Sequence, residues 1–286
     1  EGWSVAPSRQ PVKLEAGETR RIPFTVEKAV DRDSNLYPVE AVAAGDGYRA
    51  SRKQEIFCAS APSSVPEVDG SLDDWNDAIP VTFVDGDRRT VVRMFWSQRE
   101  FFLAVEVEEE RLTARGPGGR GGTTDAVQVA IAPREAPTGQ RSLEKAARFE
   151  LLLLPGATSD GPGRCFLITT PGMDLRETRA PRELGPLLFE DARLEVSRLE
   201  GMTVYECSIP FALLREVVRP TVGREFRFSL LVHDPDETGI RDLGRAAGLD
   251  SSRDHRVAWS HWEGAEWDPE PPGFSKVEWG LCSSKH

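Results

Sequence analysis

The 286-residue sequence lacks features that define whole classes of protein. No apolar run approaches the 18 residues that a membrane-spanning helix needs, and runs such as the leucines at 151–154 have only the length of a strand. Lysine and arginine together number 36 against 47 aspartates and glutamates, and no basic stripe interleaved with aromatic residues offsets the net charge of -11. We therefore expect no membrane span and no nucleic-acid partner.

Catalytic motifs are also missing from the sequence. There is no Gly-x-Ser-x-Gly elbow for a serine hydrolase, and no His-Glu-x-x-His spacing for zinc. The 47 acidic residues contain no pattern that singles out a pair of carboxylates for acid–base chemistry. We therefore expect the chain not to be an enzyme.

Cysteine is scarce, and its spacing contains no C-x-x-C pair that would indicate a redox or metal motif. Three disulfide connectivities remain open for the four residues, and Cys207 is also compatible with a small buried hydrophobe. The four are Cys58, Cys165, Cys207 and Cys282. Because the chain begins with Glu1 and not with methionine, we expect that an upstream segment has been removed.

The sequence does contain turn-forming residues and stretches in which apolar residues alternate as in β-strands. The stretch 68–75 has an Asp-Gly turn that predicts a positive φ at Gly70. Leu72 and Trp75, three residues apart, are expected to anchor that turn against a core. Strands are predicted at 90–96, 100–107, 125–131, 148–154, 164–169, 192–196, 203–209 and 226–232. With a hairpin at 97–99 and a helix only at 210–217, the pattern predicts an all-β, antiparallel β-sandwich.

The first 58 residues form a separate region with the two-residue period of strands. Their order of strand, proline and acidic-Gly turn resembles the C-terminal half of a bacterial immunoglobulin-like sandwich, with about four of the usual seven strands. Residues 59–66 predict a short, semi-stiff linker, and residues 67–286 the larger sandwich. We expect the whole to be a fragment of a longer polypeptide.

Several short motifs follow one another along residues 66–281. They are Asp69, Gly70 and Trp75; 91–96 and 101–105; 125–129; Tyr205, Glu206 and 209–211; His233 and Asp234; Trp259 and Ser260. In this order they resemble family 9 carbohydrate-binding modules, which belong with the DOMON-like sandwiches.

This resemblance implies a sugar-binding module appended to a glycoside hydrolase. In the family, two tryptophans clamp the terminal sugar of a glucan or xylan chain, and polar side chains bond its hydroxyl groups. The best match for one clamp is Trp267, with Trp262 nearby in the same loop, while residues 121–125 offer no second clamp. Trp75, Trp96 and Trp259 lie in patterns that favour the core instead. The counterparts of the polar contacts are Gln128, Arg148 and Glu150.

The family often contains structural calcium, and the acidic loop 233–237 offers suitable oxygen ligands. Asp234 and Asp236 are the candidate ligands, although an ordinary solvated turn is the favoured interpretation of this loop. Related sandwiches sometimes hold haem, for which Met94, Met173 and Met202 are available, although packing is the favoured role for each of them.

Together these observations predict a non-catalytic carbohydrate-binding region of a larger secreted bacterial protein. Its partners would be a polysaccharide or oligosaccharide and the upstream domains of the same polypeptide. The alternative is a structural module that keeps the sandwich and has lost its sugar site, which the missing second clamp favours. A haem-binding electron-transfer domain is the third reading.

Overall fold

Strands are the main secondary structure of the protein. The computed structural model describes residues 3–28, 36–45, 47–114, 124–134, 145–156, 161–246, 258–265, 273–274 and 276–282. The strands are β1 (Ser4–Ala6), β2 (Thr25–Lys28), β3 (Leu36–Gly45), β4 (Tyr48–Ala61), β5 (Val81–Asp85), β6 (Arg88–Trp96), β7 (Glu100–Glu108), β8 (Ala126–Pro133), β9 (Phe149–Leu154), β10 (Gly161–Pro162), β11 (Arg164–Thr169), β12 (Arg193–Leu199), β13 (Met202–Pro210), β14 (Glu225–Asp234), β15 (Gly239–Asp242) and β16 (Val277–Leu281). Two four-residue helices, α1 (Phe211–Leu214) and α2 (Leu243–Ala246), and 3-10 turns at Glu177–Arg179 and Gly185–Leu187 complete these elements. No helix in the described ranges is both long and apolar enough to cross a membrane.

The chain divides into two units, Glu1–Asp33 and Ser34–His286. In the first unit, β1 and β2 pair with each other. The second unit contains two sheets. The first sheet has the strand order β10-β12-β13-β7-β6-β5, and the second sheet has the order β11-β9-β8-β14-β16-β4-β3, with β15 added beside β14.

The two large sheets share one apolar core. Leu103 and Val105 of β7 contribute to it from the first sheet, and Val127 and Val129 of β8 contribute from the second. Alternate residues of each strand enter this core because successive side chains of a strand point to opposite faces. The β6–β7 hairpin pairs antiparallel around residues 97–99, as predicted. The predicted all-β sandwich is therefore confirmed.

One pairing departs from the predicted antiparallel order. β16 lies parallel to β4, with Leu281 opposite Ala61 and Glu278 opposite Cys58. Residues 59–61 of the predicted linker are therefore part of a strand, and β3 and β4 belong to the unit that holds the sandwich. The boundary predicted after residue 58 thus differs from the observed division after Asp33, and the partial immunoglobulin-like module stays a prediction.

Local predictions about turns, thiols and the short helix have mixed outcomes. Gly70 has a φ of 85°, and Trp75 is buried against Phe95, as expected. The predicted helix at 210–217 is shorter, since α1 spans only Phe211–Leu214. Cys165 and Cys207 are buried free thiols in the shared core, so the reading of Cys207 as a small hydrophobe is confirmed.

Candidate functional site

The outer face of the second sheet carries a group of buried polar side chains. Since the residues that flank Gln128 enter the shared core, Gln128 faces away from it, and Glu150 of β9 and His233 of β14 lie on the same outer face. We call this group the outer-face cluster; its members, each no more than 4% exposed, are Gln128, Arg148, Glu150, His233, Ser260 and Trp262. The last two come from the segment 258–265, which crosses over the sheet.

The amide of Gln128 is the centre of the outer-face cluster. Its Nε2 donates to Glu150 Oε2 at 2.8 Å and to the carbonyl of Ser260 at 3.1 Å. Its Oε1 accepts from Trp262 Nε1 at 3.3 Å and lies 3.1 Å from His233 Nε2. Burial lowers the pKa of His233 to about 3, so the ring is neutral and one of its nitrogens can donate to the amide. All four hydrogen-bonding positions of the Gln128 amide are therefore used within the protein.

Glu150 and Arg148 form the second half of the cluster. Arg148 Nε donates to Glu150 Oε1 at 2.6 Å, and its Nη2 donates to the Ala258 carbonyl at 2.9 Å. The backbone N–H of Ser260 donates to Glu150 Oε2 at 2.9 Å. The guanidinium also lies over the ring of Phe274, 5.2 Å from its centroid. These contacts fasten the segment 258–265 to the outer face.

Trp262, which the resemblance places beside Trp267 in the candidate sugar-binding loop, is buried and cannot stack on a sugar. Its side chain is 2% exposed and packs against Ala126, Leu152 and Phe166. The ring also meets His233 edge to face, with centroids 5.3 Å apart. The apolar residues on the outer face of β8, β9 and β11 provide the space that encloses the indole, which leaves no open ring face for a sugar.

The two ends of the loop that contains Trp267 pair with each other. Ala258 and Gly273 form an isolated antiparallel bridge, and Phe274 packs against the buried Trp259. Trp267 belongs to the chain between these bridged residues but lies outside the described residues. The core positions predicted for Trp75, Trp96 and Trp259 are confirmed, since each is 2% exposed or less.

A second group of buried polar side chains, which we call the acidic cluster, lies at the ends of three strands. Glu109 follows β7, Asp125 precedes β8 and Asp234 ends β14. One carboxylate oxygen from each residue lies within 4.8 Å of the others, and the three side chains are at most 1% exposed. Burial raises the pKa of Asp125 to about 8 and that of Glu109 to about 7.

The partners of the acidic cluster satisfy only part of its oxygens. Asp125 Oδ2 accepts from the N–H of Thr113, Glu109 Oε1 accepts from Thr203 Oγ1, and Asp234 Oδ2 accepts from Thr238 Oγ1 at 2.6 Å. Within the described part of the chain, the remaining oxygens, Asp125 Oδ1, Glu109 Oε2 and Asp234 Oδ1, are buried and have no hydrogen-bond partner. Such oxygens fit the hard oxygen ligands that calcium prefers.

The two predicted calcium ligands occupy different environments. Asp234 is buried in the acidic cluster, where it lies 3.3 Å from Nη2 of Arg241. Asp236 is exposed and is not among the three grouped residues. Its Oδ2 accepts from Thr113 Oγ1 at 3.1 Å and lies 3.8 Å from Arg111 Nε. The sequence thus identified one member of the cluster and missed Glu109 and Asp125, which are distant from Asp234 along the chain.

Of the methionines considered for haem, Met94 has a packing role, since it is fully buried in the shared core. Met173 and Met202 are half-buried, and the sulfur of Met173 accepts from Arg182 Nη1 at 3.4 Å.

No family model and no curated protein matches the sequence. Among solved structures, the chain is similar to a family 9 carbohydrate-binding module from Caldicellulosiruptor kristjanssonii in complex with cellotriose, with 12% identity and a TM-score of 0.48. That match covers 80% of this chain and 95% of the other. The same kind of module in complex with glucose gives a TM-score of 0.46 over 80% and 97% of the two chains, again at 12% identity.

Proposed function

We propose that this chain is a non-catalytic carbohydrate-binding module within a larger secreted bacterial protein that acts on carbohydrates. The observation that supports this proposal is the outer-face cluster at Gln128, Arg148 and Glu150, which fastens the base of the loop that contains Trp267 to the sheet. A module of this kind holds glycan near a catalytic partner and so raises its effective concentration. Upstream domains of the parent polypeptide would supply that partner.

In this proposal, Trp267 provides the stacking surface for the sugar. One face of a pyranose ring presents C–H groups, which pack on an indole through apolar burial and weak attraction to the π system. The loop that contains Trp267 is fastened at its base by the Ala258–Gly273 bridge and by the bonds of Ser260 to Glu150 and Gln128. We assign the outer-face cluster the role of positioning this loop, since its hydrogen-bonding capacity is taken up inside the protein.

Isothermal titration calorimetry with cello-oligosaccharides and xylo-oligosaccharides tests the stacking role. We expect Trp267→Ala to weaken binding by at least about 10-fold, which corresponds to about 1.4 kcal/mol of lost stacking. Phe24→Ala is the matched control, because Phe24 is an aromatic residue that is 53% exposed and lies in the other unit. Equal affinities of wild type and Trp267→Ala would remove Trp267 from the site.

The rival function is that of a structural module without a sugar site. The observation that favours it is the closed hydrogen bonding of Gln128 and Glu150, which leaves neither side chain free for a ligand while the segment 258–265 stays in place. Binding of wild type to a panel of soluble and insoluble polysaccharides decides between the two. If the wild-type protein binds none of them, the carbohydrate proposal fails and the structural module remains.

A further inference from the structure

Two of the four cysteines meet inside the shared core. Cys165 of β11 and Cys207 of β13 come from different sheets, and their side chains are 2% and 0% exposed. A hydrogen bond with the Cys165 thiol, followed by burial, raises the pKa of the Cys207 thiol well above its usual value. The two sulfurs are therefore neighbours across the sandwich.

The path of the chain explains why these two residues meet. The backbone crosses from the first sheet to the second at Gly163, two residues before Cys165. The N–H of Gly163 donates to the carbonyl of Leu194 at 2.8 Å, and Leu194 lies opposite Cys207 in the pairing of β12 with β13. Because Cys165, Leu194 and Cys207 all belong to the shared core, the crossing brings both thiols to the same edge of that core.

The backbone positions of the other cysteines exclude three of the remaining pairings. Cys58 is in β4 and Cys282 follows β16, and these strands are five and four places from β11 in the second sheet. Neighbouring strands lie about 4.8 Å apart, so both are about 19 Å or more from Cys165, whereas bridged Cα atoms lie within about 7 Å. Cys58 lies opposite Glu278, four residues before Cys282, so those two cysteines are about 13 Å apart along the strands. Each of the three complete connectivities contains one of these excluded pairs.

We propose that Cys165 and Cys207 form the single internal disulfide of this chain when it folds in an oxidising compartment. The oxidant is a disulfide of another molecule, such as oxidised glutathione or a thiol–disulfide oxidoreductase. One cysteine thiolate attacks that disulfide, which releases one thiol and leaves a mixed disulfide; the second cysteine thiolate then displaces the other thiol and closes the bond. The two protein thiols lose two electrons and two protons, and the oxidant is reduced to two thiols.

Burial determines when the bond can form. Because both side chains are at most 2% exposed in the folded protein, a dissolved disulfide cannot reach them, and the exchange takes place during folding. The closed bond joins β11 to β13, one strand from each sheet, and restricts the unfolded chain between residues 165 and 207. The inference rests on the proposed function only for its secreted location, where disulfides persist, and does not depend on sugar binding.

Peptide mapping of wild-type protein refolded in a glutathione redox buffer is the first measurement. Once the remaining thiols are alkylated, trypsin places the four cysteines in separate peptides, 54–88, 165–176, 199–215 and 277–285. We expect mass spectrometry without reduction to find 165–176 joined to 199–215 in most molecules. Recovery of these two peptides unlinked, or joined to either of the others, would overturn the proposal whether or not the protein binds sugar.

Cysteine variants test whether this bond stabilises the fold. The Tm of wild type refolded with oxidised glutathione should exceed its Tm after refolding in dithiothreitol by roughly 5–10 °C. Cys165→Ala and Cys207→Ala should each have the same Tm in both conditions, because neither variant can close the bond. Cys282→Ala is the matched control and should keep the full difference. A difference that survives in Cys165→Ala, or that disappears in Cys282→Ala, would refute the assignment.

Discussion

At the scale of single residues, Glu206 explains why an Asp-Gly turn opens the sandwich. Its Oε2 accepts the backbone N–H groups of Asp69 and Gly70 at 2.9 and 2.7 Å, and its Oε1 accepts Trp75 Nε1 at 2.7 Å. The positive φ of Gly70, which glycine adopts without steric cost, presents these donors to a single carboxylate. The turn predicted from the sequence therefore has a charged anchor that lies far along the chain.

Glu206→Gln should lower the free energy of unfolding by about 2 kcal/mol, because hydrogen bonds to charged groups contribute about 1.5–3 kcal/mol. A glutamine amide has one acceptor oxygen, so at least one of the three donors would face an NH₂ group. Urea denaturation monitored by tryptophan fluorescence measures the change. Glu190→Gln, at an exposed carboxylate in a turn, should stay within about 0.5 kcal/mol of wild type. If both variants lose a similar free energy of unfolding, the three hydrogen bonds to Glu206 do not stabilise the fold.

At the scale of elements, the chain crosses between the two sheets at Gly163. β10 pairs with β12 in the first sheet, and β11 pairs with β9 in the second, with Gly163 between them. Its N–H donates to the Leu194 carbonyl at 2.8 Å. A Cβ at this position would lie 2.6 Å from the Leu194 side chain and 2.7 Å from the backbone oxygen of Leu154.

Gly163→Ala should therefore destabilise the protein by about 2 kcal/mol, since overpacking costs about 1–3 kcal/mol and a backbone oxygen cannot swing aside. Gly185→Ala is the matched control, because a Cβ there meets nothing within 4 Å. The control should be neutral or more stable by up to about 1 kcal/mol, because alanine reduces the freedom of the unfolded chain. Equal Tm values for the two alanine variants would contradict the close packing at the crossing.

The same scale shows what the sequence can predict. Strands such as β6, β7 and β11 were predicted from alternation because their periodicity and turns are local properties of the chain. The acidic cluster was not, because it is assembled from residues 109, 125 and 234, which no local pattern connects. Gln128, Arg148 and Glu150 were identified from the family resemblance as candidate sugar contacts, but only the packed structure reveals that they satisfy one another. The burial of Trp262 was not predicted, because its Gly and Glu neighbours resemble a solvated loop.

At the scale of the whole molecule, the parallel pairing of β4 with β16 determines where the folded unit begins. Ala61 is fully buried in the shared core, and its carbonyl accepts the N–H of Cys282 at 2.8 Å. β16 lies between β4 and β14, and Val277, Trp279 and Leu281 enter the core from it. Because β4 and β16 pair in parallel and are far apart in the sequence, no hairpin turn connects them. Composition alone therefore suggested a linker at 59–66.

Two truncations test where the unit begins. A chain starting at Ser34 keeps β3 and β4, so its Tm should stay within a few degrees of that of the full chain. A chain starting at Glu67 matches the boundary predicted from the sequence but loses both strands, which uncovers the edge of β16 and removes Ala61 from the core. We expect its Tm to fall by more than about 10 °C, as the loss of several kcal/mol requires in a chain of this size. Differential scanning calorimetry compares the three proteins directly. If the chains starting at Glu67 and at Ser34 have the same Tm, then β3 and β4 do not contribute to the stability of the second sheet.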